Sequence, residues 1–179
     1  MTPWFFGYGS LVNRATHTYP QAQTARLNGW RRTWVRTELR DVVFLSIRPA
    51  PGHSIDGLIA TVPNADWLSL DQRETGYARI DATPHVSHGA RASSIAAYQV
   101  ASHDQRSDGN HRILLSYLDV VVQGFLREFG PAGAEAFFAT TDGWDTPVLD
   151  DRAAPLYPRA QTLSKDEQAL TDRLLAQVQ

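Results

Sequence analysis

The chain has 179 residues, 17 basic against 19 acidic side chains, a formal net charge of −2 and no cysteine. That balance offers no basic footprint for nucleic acid, and the missing cysteines exclude disulfides, zinc–thiolate sites and a thiol nucleophile. No apolar run approaches the ~18 residues that span a bilayer. The expectation is a single domain over residues 1–179 in a cytoplasmic protein, with no nucleic-acid or membrane partner.

Residues 3–8 read as a first strand, and the run Trp4-Phe5-Phe6 suggests burial on both faces. Without a charged leader, and interrupted by Gly7 and Gly9, this opening is a strand rather than a signal peptide. The two glycines either make room for packing or let a turn present free amides to an anion. Ser10 is not the nucleophile of an elbow, because Gly-x-Ser-x-Gly would need glycine where Val12 stands. Residues 25–37 alternate in strand fashion, with Gly29 as a bulge. A strand over 42–47 is ended by Pro49-Ala50-Pro51-Gly52, and another follows over 55–62 with Gly57 inside it. Four strands ahead of the first helix imply a strongly curved sheet or a small barrel.

The first helix is expected around Trp67–Tyr77, with Asn64 as N-cap and Gly76 as its stop. Trp67, Leu70 or Asp71, and Glu74 share one face, which begins apolar and ends on a carboxylate. Glu74 is then either partly buried, with a raised pKa suited to proton transfer, or turned outward and paired with Arg73 or Arg79.

Residues 77–86 alternate again, and 94–101 read as a closing strand before a polar loop over 102–110. His85 and His88 have a ligand-like spacing but no third partner nearby, so no metal site is expected. The strongest helix runs over 113–129 and ends at Gly130-Pro131, with Tyr117 in its apolar stripe. A short helix over 133–140 carries Phe137 and Phe138. The long Pro-containing stretch 141–163 has three anchoring groups, Trp144, Leu149 and Tyr157, and reads as an ordered flap. Ser164 to Glu167 form a capping box for a final helix over 164–179. Its stripe of Leu170, Leu174 and Val178 docks on the domain or on a partner chain.

Two motifs taken together, Tyr8-Gly9-Ser10-Leu11 after the first strand and Arg73-Glu74 further along, resemble the γ-glutamylcyclotransferase-like family. The resemblance covers residue 3 to about residue 130 and includes Gly29-Trp30-Arg31-Arg32 and Tyr117. It implies an α+β fold, a small bent β-barrel with flanking helices. It also implies a cofactor-independent enzyme that cyclises a small-molecule γ-glutamyl peptide, amino acid or amine to 5-oxoproline, releasing the amine. Glutathione is among the family's substrates. By the same resemblance Glu74 is the catalytic acid and base, Tyr8, Gly9, Ser10 and Leu11 cradle the glutamyl group, and Tyr117 lies near the substrate. Two other readings stay open. One is a non-catalytic binding module for γ-glutamyl compounds or small anions; the other is a β-rich domain whose final helix forms a homodimer.

Overall fold

The apolar tetrapeptide Trp4–Gly7 forms β1 in the computed structural model, which describes residues 2–179. Its side chains alternate as a pleated strand requires. Trp4 and Phe6 enter the main core, while Phe5 enters a second cluster with Leu11 and Leu70. Both faces are buried because the main core covers one and the second cluster the other, while the edges of β1 pair antiparallel with β3 (Phe44–Thr61) and parallel with β6 (Ile95–Gln99).

Strand β2 (Gln23–Thr37) pairs antiparallel with β3 along most of its length. The register breaks at Gly29, which adopts φ 81°, so the expected bulge is there. The expectation that Pro49–Gly52 ends a strand does not hold. Asn28 pairs with Ser54 and Trp30 with Pro49, so residues 50–53 lie opposite the single residue Gly29 and the ladder resumes beyond them. Pro51 falls where the bulge already removes ladder bonds and Pro49 at its edge, which is where a strand tolerates them. Three strands, not four, therefore precede the first helix.

The remaining strands are β4 (Ala78–Asp81), β5 (Val86–Ser87), β7 (Gln105–Arg106), β8 (Ile113–Leu114), β9 (Thr141–Asp142) and β10 (Val148–Leu149). The main sheet runs β4-β6-β1-β3-β2-β5, with β7 and β9 also on β2. It curls into a half-barrel, bent at the Gly29 bulge and at Gly57, where an added Cβ would run into the Gly7 carbonyl and the Phe6 ring. This is the α+β architecture the resemblance implied.

Helix α1 is Trp67–Arg73, and its N-cap is Asp66, which accepts from the Ser69 amide at 3.3 Å. Asn64 does not cap it; that residue sits earlier, at φ 54° in a 3-10 turn. Gly76 does take a left-handed conformation, φ 96°, where the chain leaves the helix. Helix α2 spans Leu115–Ala139 but breaks at Gly130 (φ 71°, ψ −173°), so it is the two helices expected around Gly130-Pro131. It starts two residues later than its apolar pattern suggested, because Ile113 and Leu114 pair with Val148 and Leu149 instead. Helix α3 (Lys165–Leu175) carries the full capping box of Ser164 and Glu167. Leu174 is buried, with Leu170 and Val178 packed on the same core, so the stripe docks on its own chain. Among the described residues no helix is long and apolar enough to cross a membrane.

Candidate active site

The turn that follows β1 is held from three sides. The Tyr8 carbonyl accepts from Arg32 Nε at 2.8 Å, and the Tyr8 hydroxyl donates to the Tyr98 carbonyl at 2.6 Å. Arg32 is 1 % exposed; it also donates to the Thr140 hydroxyl and the Asp56 carbonyl, and its guanidinium lies 4.7 Å from the Phe125 ring centre. Burial pulls its pKa down to about 9 against the opposing charge of Asp56.

Next comes Gly9, where an added Cβ would lie 2.7 Å from the Tyr117 hydroxyl. Glycine here allows the α2 tyrosine to rest on the backbone. Ser10–Val12 make one 3-10 turn, so the Ser10 and Leu11 amides have no backbone acceptor. The turn ends at buried Asn13, whose Nδ2 donates to the Val120 carbonyl and to Gln123 Oε1, both at 2.9 Å and both on α2.

Glu74 lies one residue past α1, with its amide bonded to the Leu70 carbonyl at 2.9 Å. Leu70, fully buried, pins that end of the helix to the second core cluster. The Glu74 side chain is 17 % exposed and accepts from Arg73 Nε at 3.1 Å. Arg73 is in turn held by the Thr16 carbonyl at 2.8 Å and hydroxyl at 2.9 Å, while Arg79 belongs to Asp71 at 3.6 Å. Both sequence alternatives are thus partly right: Glu74 pairs with Arg73, yet it faces inward. Burial raises its carboxyl pKa above the ordinary glutamate value, and the charges of Arg73, Arg159 and Arg40 only partly offset this.

The cavity beside Glu74 has a volume of about 430 Å³, within the ~300–1,000 Å³ range of small-molecule sites. Ser10, Leu45, Glu74, Tyr77 and Tyr117 line both this cavity and a small hollow of about 20 Å³ behind it. Tyr8, Gly9 and Leu11 border the inner hollow alone. All six residues singled out in the sequence therefore meet around one recess. The Tyr77 hydroxyl donates to the Leu45 carbonyl at 2.9 Å. Tyr117 packs edge-on to Trp34 and Tyr157, with ring centres 6.0 and 5.0 Å away, and burial pushes its phenol pKa well up.

Several lining residues were not found from the sequence: Arg40, Trp34, Tyr157 and Arg159. Nothing in their spacing marks them as a set, because they come from β2, the loop after it and the stretch 141–163. The stretch 141–163 supplies two of them. Its Trp144 stacks on Phe138 at 4.7 Å, and its buried Asp151 accepts from the Ser116 amide at 2.8 Å and the Leu156 amide at 2.9 Å. Burial opposes ionisation of Asp151, but these bonds and that from the Ser116 hydroxyl outweigh it and hold the pKa below the usual aspartate value. Leu156 to Arg159 is the portion that reaches the cavity. His85 and His88 stay away from it, and among the described residues no cluster of three or more His, Asp or Glu could hold a metal.

The profile of the family described as Gamma-glutamyl cyclotransferase, AIG2-like, matches residues 5–117. The chain belongs to this family. The match takes in both the Tyr8–Leu11 turn and Glu74, and it ends at Tyr117. No curated protein matches the chain. Among solved structures, one named gamma-glutamyl cyclotransferase superimposes with a TM-score of 0.58 at 15 % identity, over 97 % of this chain and 99 % of that one. An uncharacterized protein from Homo sapiens gives 0.60 at 17 % identity, over 96 % and 98 %. YkqA from Bacillus subtilis gives 0.58 at 16 % identity, over 79 % of this chain and 56 % of its own. At such identities the likeness is one of fold. It extends the cyclotransferase-like architecture through α3, beyond the residues the family profile covers.

Proposed function

We propose that this family member is a γ-glutamylcyclotransferase, converting a γ-glutamyl compound to 5-oxoproline and a free amine, with Glu74 as both base and acid. The observation that carries the reading is the inward-facing Glu74 carboxyl, its pKa raised by burial, on the same recess as the Ser10 turn and Tyr117.

The chemistry needs little else. A γ-glutamyl compound carries its own nucleophile, since its α-amine can close onto the γ-carbonyl to form a five-membered lactam. Near neutral pH that amine is mostly an ammonium, with a pKa of roughly 8. Glu74 takes its proton, the amine attacks, and the γ-carbonyl oxygen gathers negative charge. Collapse of the tetrahedral centre breaks the γ-amide bond as Glu74 returns the proton to the departing nitrogen. The second proton of the attacking nitrogen is lost as the lactam forms and ends on the freed amine, which leaves as an ammonium. A carboxyl with a raised pKa is better matched to both transfers than an ordinary one. The Leu11 amide, and the Ser10 amide once substrate displaces the Tyr117 hydroxyl that it faces, are the donors for the oxyanion or the substrate α-carboxylate. Tyr117 walls the recess and helps hold the glutamyl chain curled, a conformer whose freezing is a large share of the catalytic task.

The test is a panel of γ-glutamyl amino acids, glutathione and a γ-glutamyl amine incubated with the protein, with 5-oxoproline as readout. The wild type should turn over at least one of them. Glu74→Gln should keep the fold by circular dichroism and lose at least a thousand-fold in kcat, on the order of the general acid–base contribution made twice over in one cycle. Near-normal turnover by that variant would remove Glu74 from the mechanism.

A further inference from the structure

Three arginines, Arg40, Arg73 and Arg159, line the cavity around Glu74, and they are not equivalent. Arg73 is consumed by Glu74 and Thr16. Arg40 and Arg159 have no carboxylate within ion-pair distance among the described residues. Arg40 donates to the Thr75 carbonyl at 3.4 Å and lies 5.3 Å over the Phe44 ring. Among the described residues the half-buried Arg159 guanidinium finds no hydrogen-bond acceptor, whereas Arg40 and Arg73 each do. Unpaired cations on a concave wall are the recognition chemistry for an anion, and the planar guanidinium fork suits a carboxylate.

Trp34, Val43, Phe44, Leu114 and Tyr157 form the apolar part of the wall, with Leu156 62 % exposed at the mouth, and Gln72 and Thr75 are its neutral polar members near Glu74. The inner hollow borders the Tyr8–Leu11 turn, whereas Arg40, Leu114 and Leu156 to Arg159 border only the outer cavity. If the glutamyl group lies at the inner end, the group beyond its γ-amide meets large apolar surfaces and two guanidinium groups that have no carboxylate partner among the described residues. We infer that Arg40 and Arg159 form a subsite for the carboxylate of the leaving group, which makes γ-glutamyl amino acids with a bulky apolar side chain the substrate class, in preference to γ-glutamyl amines. The inference rests on the cyclotransferase reading above, and deepens it.

A pair of compounds that differ only at that carboxylate tests it: γ-glutamyl-phenylalanine and γ-glutamyl-phenylalaninamide. Wild-type kcat/KM, read as 5-oxoproline release, should favour the acid by about ten- to a hundred-fold, the usual worth of a charge-assisted contact. The preference should shrink as salt is raised and fall to near one in the Arg40→Gln, Arg159→Gln double variant. Calorimetric binding of both compounds to Glu74→Gln separates recognition from chemistry. Equal use of acid and amide by the wild type would overturn the subsite and leave the cyclotransferase reading standing. So would a double variant that weakens both compounds alike, because the arginines would then be serving the glutamyl carboxylate. Tighter binding of the acid with no turnover of either compound would keep the subsite and defeat the cyclotransferase reading. Failure of the acid to bind would overturn the subsite.

Discussion

Glu74 is a side chain whose burial costs stability at neutral pH. Burial raises its pKa, so between the ordinary glutamate value and the raised one the folded chain holds a proton that the unfolded chain releases. Stability therefore falls as pH climbs through that window and stays lower above it. Glu74→Gln removes the titration, so its Tm should exceed that of the wild type at pH 7.5. The gap should close below about pH 4, where both folded and unfolded glutamates are protonated. Thermal unfolding at several pH values measures this, and a lower Tm for the variant at pH 7.5 would contradict the raised pKa. The acid limb of kcat/KM should likewise sit above the ordinary glutamate range, because the base must be deprotonated to begin the cycle. At this scale the sequence was informative: a carboxylate at the end of an apolar helix face is out of place unless it has a task. It could not decide between inward and outward. That choice depends on Arg73, which turns to Thr16 and brings the carboxylate with it.

The glycine-rich turn and α2 work as one element. Asn13 is fastened to α2 by two side-chain bonds, and α2 approaches so closely that a Cβ on Gly124 would lie 2.7 Å from the Asn13 amide nitrogen. Gly124→Ala should therefore push helix and turn apart and destabilise the protein by about 1–3 kcal/mol, the usual range for overpacking. It should also lower activity at temperatures where the protein is still folded, because the Ser10 and Leu11 amides and the Tyr117 hydroxyl move with those two pieces. A denaturant midpoint with parallel oxoproline kinetics reads both effects. The sequence showed α2 as a strongly apolar helix but gave no hint that Gly124 is a contact point. A glycine in a helix is only a propensity penalty until the neighbour that needs its hydrogen is known.

Across the molecule, Arg32 is where the layers join. It reaches from β2 to the Tyr8 carbonyl after β1, to the Asp56 carbonyl on β3 and to Thr140 after α2, and it lies over the rings of Phe125 and Phe137. Arg32→Met keeps the length and loses those donors, leaving buried acceptors unpaired. A loss of about 2–4 kcal/mol in denaturant unfolding is expected, after allowance for the relief of a buried charge. Sequence alternation indicates that residues 25–37 form a strand, and its motif contains Arg32, but burial of an arginine is the reverse of the ordinary expectation.

What the sequence by itself determined is local: the buried first strand, the bulge at Gly29, the break at Gly130-Pro131, the capping box at Ser164, and the two motifs of the family. Each follows from a residue's own backbone preference or from a period of two or 3.6, which neighbours in the chain suffice to express. Only the tertiary structure decided that one strand runs through Pro49–Gly52, that Asp66 rather than Asn64 caps α1, and that Glu74 faces the turn. It alone brought Arg40 and Arg159 to one cavity, from loops more than a hundred residues apart. Those outcomes depend on partners remote in sequence, and a bulge, a cap or an ion pair is chosen by the partner that arrives.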